Sequence, residues 1–429
     1  MLKYSNKLIG AIALLAVLWP SLGYSQAQPK PVNFTVVPSD MWAYWLLFLV
    51  PSALALNPIK FSEDIKSGLW AMVGVLFILL IGLRYNVGGD FDNYLSYLEM
   101  SYQEVNSRAT GFTGETEINF TAAYGNASGY LLVNALAMRM GFWGLHGIYF
   151  VNTFCATIFV VGLIKFCKRQ PMPWIALMVA VPYMVCAVSM GYTRQATALG
   201  FLMWGLSLLK PGNEVKYVAL IFIGSTFHLS VMATMPLALC AREKNPMIIY
   251  LILALMIGLI ANFLTSLNIS DEQGNLFKNM MIIWEYTATR YSPGGPIRTY
   301  MNVLPVLVSL LVWKRIKKMS TASGDYRMVK WLAIASILSL PALLYSYTMT
   351  DRMGIYLMPV QLALWPRFIA AQKTELLRSL WTSNVIAFYG VVLYVFFHYA
   401  NHSFFWVPYL MFPFTSEPIY PHPIVMPRI

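Results

Sequence analysis

The sequence predicts an all-α fold: a polytopic integral membrane helical bundle of roughly 10–12 transmembrane helices, with a long first outside loop and one broken or re-entrant helix. Three observations carry this. Of 429 residues, 58% are hydrophobic and 11% are charged, where a soluble domain carries about a quarter charged residues. The apolar residues gather in runs such as Leu69–Leu83, Ile148–Ile164, Trp174–Val188, Ile248–Phe263 and Val385–Phe397, near the length of about 20 residues that crosses a bilayer. The runs lack the polar–apolar alternation of a barrel strand, so helices are the spanning solution.

The net charge of +12 does not point to nucleic acid. The lysines and arginines are dispersed through short loops, as the bias of positive charge toward the cytoplasmic side requires. The four cysteines, Cys155, Cys167, Cys186 and Cys240, form no CxxC pair and no metal-ligand spacing. They read as small apolar packing residues.

At the amino terminus, Lys3 and Lys7 precede the apolar stretch Leu8–Leu22, and Ser25-Gln26-Ala27 is a small-x-small site. Residues 1–27 therefore read as a cleaved secretory signal or as a first transmembrane helix. Residues 28–399 form the polytopic membrane domain, and residues 400–429 an outside C-terminal tail that either wraps over the outer face or hangs loose.

Placing basic clusters inside orders the spans. Met41–Leu56 runs inward to a loop with Lys60 and Lys66, and Gly68–Leu83 returns outward. Residues 84–128 are then an outside loop, acidic around Asp90, Asp92, Glu99, Glu104, Glu115 and Glu117. Gly129–Met140 is short and interfacial. Leu145–Ile164 leads inward to Lys165, Lys168 and Arg169, Met172–Val188 leads out, and Ala196–Leu209 returns to Lys210 and Lys216.

The next inside anchor is Lys314-Arg315-Ile316-Lys317-Lys318, with Ser266–Arg298 outside before it. Three apolar segments separate the two anchors: Val218–Leu239, Ile248–Phe263 and Tyr300–Val312. Three crossings would put the second anchor outside, so one segment enters and leaves on the same side. Val218–Leu239 is that segment, because Ser225-Thr226-Phe227-His228 and Pro236 interrupt it. Broken helices are tolerated only where they are buried in protein or line a cavity, so parity alone makes His228 a cavity residue. Met328–Tyr347 then leads out, Ile355–Phe368 returns to Lys373 and Arg378, and Asn384–Phe397 leads out to the tail.

This order places Arg84, Arg194 and Arg352 at the outer ends of spans, the side where positive charge is sparse. Each alone is explained by snorkelling or an ion pair, and Asp351 stands beside Arg352. Together they point to a shared anionic ligand, since guanidinium binds phosphate oxygens bidentately. The loop opens Arg84-Tyr-Asn-Val-Gly-Gly-Asp-Phe-Asp-Asn-Tyr94. Gly88 and Gly89 permit a tight turn close to a ligand. Asp90 and Asp92 suit a general base or a divalent cation, or simply a helix start. A helix from about Asp90 puts Tyr94, Tyr97 and Leu98 on one stripe, as for an amphipathic helix on the outer leaflet. His228 is a proton shuttle or a hydrogen-bonded buried histidine. Gln195 bonds a sugar hydroxyl or a neighbouring helix. His146, His398 and His402 read as interfacial residues.

These residues resemble a known family. Leu83–Tyr94 resembles the signature of the EpsG family of exopolysaccharide-synthesis membrane proteins, related in role to Wzy-type polysaccharide polymerases. Tyr192-Thr193-Arg194-Gln195-Ala196 resembles its Arg-Gln span, and Phe227-His228-Leu229-Ser230 its intramembrane histidine motif. Asp351-Arg352-Met353-Gly354-Ile355-Tyr356 resembles its late arginine–tyrosine motif, and Trp406-Val407-Pro408-Tyr409 its terminal Pro-Tyr. The resemblance covers about residues 68–409. One departure stands out: an acidic residue often precedes the Gly-Tyr of the next helix, where this chain has Asn126-Ala127-Ser128. Either Glu115 or Glu117 supplies the acid, or none is needed.

The resemblance implies a glycosyltransferase that joins polyprenyl-pyrophosphate-linked oligosaccharides at the outer face of the bacterial inner membrane, without cofactor or metal. Arg194 and Arg352 would stabilise the leaving pyrophosphate, with Arg84 in support, and Asp90, or second to it His228, would act as base. Gly88, Gly89, Asp92, Tyr94, Gln195 and Tyr356 would bind substrate. The expected partners are the lipid-linked oligosaccharide, membrane lipid, and the chain-length regulator and flippase of the same pathway, with no nucleic acid. The competing readings are a lipid-linked oligosaccharide flippase or polysaccharide exporter, and a non-catalytic subunit of a synthesis complex. Transporters tend to show internal repeats, and none is visible.

Overall fold

The computed structural model describes residues 36–59, 61–110, 127–241 and 294–414. The candidate signal segment, the acidic residues Glu115 and Glu117, the apolar run Ile248–Phe263 and most of the expected outside loop Ser266–Arg298 lie outside the described residues. Among the described residues six helices are long and apolar enough to cross a membrane, and the architecture is an all-α membrane bundle.

Helix α1 (Trp42–Leu56) follows a 3₁₀ turn at Pro38–Met41. Helix α2 (Glu63–Gly82) starts where the Ser62 side chain accepts the Ile65 amide, with Glu63 and Asp64 in the first turn. Both features favour a helix N-terminus. Lys66, expected in a loop, sits in this helix and pairs with Glu63 at 2.7 Å. Strand β1 (Arg84–Tyr85) follows, and then helix α3 (Phe91–Thr110), which lays Phe91, Tyr94 and Leu98 on its buried side. Helix α4 (Ser128–Arg139) is too short to span and packs with α3 against helix α5 (Gly144–Lys168). Helix α6 (Pro173–Ala180) continues as a π-helix over Val181–Ser189. Helix α7 is Thr193–Leu208.

The interrupted segment is a hairpin. Helix α8 (Glu214–Ser225) climbs antiparallel to α7, with Tyr217 against Gly205 and Phe227 against Phe201. The chain breaks at Thr226–His228 and returns beside α8 as a 3₁₀ helix, Leu229–Ala241. The Tyr217 hydroxyl donates to the Thr234 carbonyl, 2.8 Å, and clasps the two arms. Twelve helical residues rise about 18 Å, short of a hydrocarbon core about 30 Å thick. The segment is thus a broken helix folded back on itself, and its tip brings His228 level with the first turn of α7.

Helix α9 (Gly295–Ser309) begins earlier than the apolar run suggests, so Arg298 lies in its first turn rather than in a loop. A basic helix α10 (Trp313–Ala322) follows, then α11 (Tyr326–Tyr345), the short α12 (Tyr347–Gly354), α13 (Pro359–Ala370) and α14 (Glu375–Tyr399).

Residues 400–414 settle which form the tail takes: they pack onto the bundle. Strand β2 (Leu410–Met411) pairs antiparallel with β1, Arg84 opposite Met411. The Trp406 indole donates to the Cys186 carbonyl in the π-helix, and the Tyr409 hydroxyl to Leu80 O. Tyr44 in α1 donates to the Trp406 carbonyl.

The bundle has two unlike ends. One gathers the β1 loop, the first turn of α7, the hairpin tip, α12 and the tail. The other gathers basic residues: Arg315, Lys318, Lys373 and Arg378 line one cavity, and Arg367 is buried against Asp325, Gln170 and Ser320.

Helices α5 and α7 cross at two glycines. A Cβ on Gly162 would strike the Gly200 backbone, and one on Gly200 would strike that of Phe159. Small residues let membrane helices approach this closely. Gly162→Val is expected to lower stability by at least the ~1–3 kcal/mol of an overpacked core. Gly68→Ala, whose Cβ meets nothing within 4 Å, is expected to be neutral or slightly stabilising. Thermal melts of the two variants in detergent check this pair.

Candidate functional site

The loop after α2 is shaped by one buried cation. Arg84 is fully buried. Its Nη1 donates to Ile81 O at 2.5 Å, its Nε to Val87 O at 3.1 Å, and its Nη2 to Thr193 Oγ1 at 2.8 Å. Thr193 Oγ1 in turn donates to Asn152 Oδ1, 3.3 Å. Arg84 therefore ties the loop to the start of α7. It is not presented to a ligand, so the support expected of it in binding pyrophosphate becomes a positioning role. Sequence position gave its depth but not its direction.

Gly88 also changes meaning. Its φ is +100°, a conformation favourable to glycine. A Cβ there would strike the Met190 carbonyl, so the close approach is to the end of the π-helix rather than to a ligand. Its amide donates to Phe405 O, 2.8 Å, which fastens the loop to the tail. Gly89 is exposed beside the Phe405 ring. Asp92 is exposed, and its charge acts on Tyr85. It stands apart from the arginines.

Asp90 does meet them. Burial raises its carboxyl above the usual aspartate range, against the opposing pull of Arg194, an Asn93 hydrogen bond and Arg352. Arg194, half-buried in the first turn of α7, lies over Tyr97 at 5.7 Å and Tyr94 at 6.0 Å, within cation–π range. The Arg194 amide reaches the Tyr94 hydroxyl at 3.4 Å, and burial raises that phenol well above its ordinary value. The tyrosine stripe of α3 is thus a rest for Arg194 as well as a packing face.

Gln195 Nε2 donates to the Arg352 carbonyl at 3.0 Å, which joins α7 to α12. Arg352 itself is exposed. The adjacent Asp351 pairs with Arg298 at 2.5 Å, both largely buried. Arg298 also hydrogen-bonds Tyr192. Sequence reasoning missed Arg298, and the available signal was a lone arginine three residues into a run that begins Gly295-Pro296.

At the hairpin tip, Ser230 Oγ lies 2.6 Å from His228 Nδ1 and donates to the Tyr356 hydroxyl at 3.0 Å, which lies 3.3 Å from the same nitrogen. The Tyr356 hydroxyl also bonds the Gln195 side chain. The charges of Arg194 and Arg352 both reach the imidazole. A chain of bonds in the bundle core supports α12 from below: Trp365 to Tyr389, Tyr389 to Gln361, Gln361 to Asn302 and Asn302 to Gly354 O.

The structure therefore brings Asp90, Arg194, Gln195, His228, Arg352 and Tyr356 together, with Tyr94 beneath Arg194. It leaves Asp92 outside and makes Arg84 and Gly88 part of the frame. Of the three histidines expected at an interface, His398 stacks on Tyr394, His146 packs on Phe412, and His402 packs on Phe405 in the tail. Among the described residues no three His, Cys, Asp or Glu side chains are grouped to hold a metal.

A sequence profile of the EpsG family matches residues 68–411. The chain belongs to the EpsG family. The match runs from within α2 to the last residue of β2, and so spans every segment that contributes to the cluster. No curated protein and no solved structure matches the chain. Family membership connects this membrane protein to exopolysaccharide synthesis.

Arg84→Ala is expected to loosen the loop, because each lost charged hydrogen bond is worth about 1.5–3 kcal/mol and leaves a buried acceptor unsatisfied. Amide exchange over residues 84–91 should quicken and the melting temperature fall. Arg352→Ala, at an exposed side chain, should leave both nearly unchanged. Equal losses in the two variants would contradict this division of roles.

Proposed function

We propose that this EpsG-family protein is a polysaccharide polymerase that joins polyprenyl-pyrophosphate-linked oligosaccharides at the outer face of the bacterial inner membrane. One observation carries the reading: two arginines, a carboxylate and a histidine from four separate segments converge at the bundle end opposite the basic cavity. Taking the basic end as cytoplasmic places this cluster outside, where lipid-linked glycan would be joined.

In the reaction, a hydroxyl of one lipid-linked unit attacks the anomeric carbon of another, and the pyrophosphate lipid departs with the bonding electrons. Negative charge grows on the departing oxygen. Arg194 and Arg352 lie on different elements, α7 and α12, and are linked through Gln195, so their guanidinium groups would clasp that pyrophosphate from two sides. The hydroxyl proton needs an acceptor. The sequence ranked Asp90 over His228 as the less buried, but both are half-buried. What favours Asp90 is its raised carboxyl, since a base works best when its pKa approaches the working pH. The reading uses no metal.

Reconstitution with a synthetic lipid-linked repeat unit tests the proposal, with polymer read on a gel. Arg194→Ala is expected to abolish visible polymer, as losing one transition-state donor costs roughly 100- to 1000-fold in rate. Arg194→Lys should also be poor, because an ammonium lacks the bidentate fork. In cells, single repeat units should then accumulate at the outer leaflet. Units held on the cytoplasmic leaflet would instead mark a flippase. A chelator should leave activity largely intact, and loss restored by magnesium or manganese would overturn the metal-free account.

The Asp90 carboxyl gives a pH prediction. Its pKa is raised, so the basic form is lost as pH falls through a value above that of an ordinary aspartate. Polymerisation should decline on the acid side earlier than an exposed carboxylate would dictate. Asp90→Asn should be inactive across the range while melting no lower, because it removes a charge that burial disfavours. A pH–rate profile and a melt of the same preparation check both.

A further inference from the structure

We infer that the basic cavity at the bundle end opposite the Arg194 cluster is a binding site for the phosphate of an anionic phospholipid headgroup. It involves none of the residues assigned to polymerisation and does not rest on that reading.

The cavity, about 430 Å³, lies where α10, the end of α13 and the start of α14 meet. Its size falls in the range of small-ligand sites, about 300–1,000 Å³. Arg315, Lys318, Lys373 and Arg378 line it, and no carboxylate does. The nearby acids do not neutralise them: Asp325 is bound to Arg367, and among the described residues no carboxylate pairs with any of the four.

The bias of positive charge toward the cytoplasmic side explains the sign of these residues. It does not explain how two of them are held. Arg315 Nη1, from α10, donates to Ala371 O at 2.9 Å, and Arg378 Nε, from α14, donates to Gln372 O at 3.3 Å. Guanidinium groups from two helices thus converge on consecutive carbonyls of one turn. Arg378 is aimed inward because it shares a face of α14 with Thr382, Val385 and Tyr389, which are buried. Each guanidinium carries five N–H donors and uses one on the turn, so the bond orients the group and leaves donors for an anion. Lys318 and Lys373 are exposed and have no partner among the described residues, and they add two further charges.

Depth selects the ligand. The run Gly295–Ala322 and helix α14 are both long and apolar enough to cross a membrane. Arg315 and Lys318 stand in the last two turns of the first, and Arg378 in the first turn of the second. On the opposite side of α14 from Arg378, Leu376 and Leu380 are 79% and 53% exposed, an apolar surface suited to acyl chains. The four cations therefore lie where hydrocarbon gives way to headgroups. The phosphate of a lipid sits at that level already, whereas a soluble anion has no reason to. Arginine takes phosphate oxygens in a bidentate fork and lysine meets them as a point charge, the chemistry by which basic pockets between helix ends hold acidic headgroups.

Titration of phosphatidylglycerol into the purified full-length protein in neutral detergent tests this, with melting temperature as a second readout and phosphatidylcholine as control. Phosphatidylglycerol is expected to bind and to raise the melting temperature, and phosphatidylcholine to do neither. Equal effects of the two lipids would overturn the inference. Lys318→Gln combined with Lys373→Gln should weaken phosphatidylglycerol binding about thirtyfold, the ~2 kcal/mol of two surface charges. Without lipid, that double variant should melt as the wild type does, since both side chains are exposed. Arg378→Lys, which keeps the charge and loses the fork, is an independent variant and should weaken binding several-fold. Lys210→Gln combined with Lys216→Gln removes the same charge from the same end of the bundle, outside the cavity, and should leave binding unchanged. Equal losses in the two double variants would mean diffuse attraction to a charged end and would overturn the site. Displacement of the lipid by inorganic phosphate at comparable concentration would make the ligand a soluble anion, and displacement by a polyglutamate peptide would make it an acidic protein segment. Either result would overturn the lipid assignment.

Discussion

Everything at the tail end of the bundle depends on the burial of one guanidinium. Arg84 sits where α2 ends and the chain must turn. A helix terminus leaves carbonyls without partners, and in a membrane protein water is not on hand to satisfy them. Arg84 answers this with Ile81 O and Val87 O, and its third contact, Thr193, belongs to the residue before Arg194. The contact that closes the loop thus also sets the depth and rotation of α7. Loop, α7 and tail are then mutually fixed: Met190 abuts Gly88, Phe405 accepts its amide, and β2 pairs with β1. A charge in this position is costly unless its donors are used, so the cation acts as a register pin more than as a source of stability.

The fold was largely legible because the membrane simplifies it. Apolar runs were enough to locate the long helices, and the polar break at Ser225–His228 with Pro236 was enough to mark Val218–Leu239 as an interrupted segment. Apolarity misjudged the boundaries where a helix begins before its apolar run, as α9 does at Gly295 and α2 at Glu63. Charged first turns that lie at the membrane surface do not register as hydrophobic, so Arg298 was read as loop and Lys66 likewise.

The site was legible in its parts and misread in its pairings. Arg194, Arg352, Asp90 and His228 were singled out by the rarity of ionisable groups at span ends, and they do converge. Sequence neighbours misled, however. Asp351 was matched to Arg352 because they are adjacent, yet residues one apart on a helix do not face each other, and Asp351 turns to Arg298 instead. Arg84 and Gly88 carried the same surface signals as Arg194 and Gly89. Depth along a span cannot reveal whether a side chain points to a cavity or to a carbonyl, and only the third dimension separates them. The tail was undecidable for a related reason: its aromatic residues suit an interface equally well as a covering layer or as a loose end, and the bonds that decide lie 220 residues away for Trp406 and 329 for Tyr409.

The two ends of the bundle show how one residue type serves opposite purposes. Arg367 is compensated in full: its guanidinium meets Asp325, Gln170 and Ser320 and the Ala363 carbonyl, and it is 2% exposed. Arg298 is likewise tied to Asp351. Arg194 and Arg352 are held differently. Arg194 lies over tyrosine faces, and Arg352 is gripped by its backbone carbonyl through Gln195 while its side chain remains exposed. Arg194 also reaches the Tyr94 hydroxyl with its side chain, so one tyrosine offers it both a ring face and an acceptor. Where Arg367 and Arg298 are held by carboxylates, Arg194 is held by phenols and Arg352 is anchored through its main chain. Carboxylates cancel a guanidinium charge and phenols do not, so on the polymerase reading the charge that a departing pyrophosphate would meet is the one resting on tyrosine.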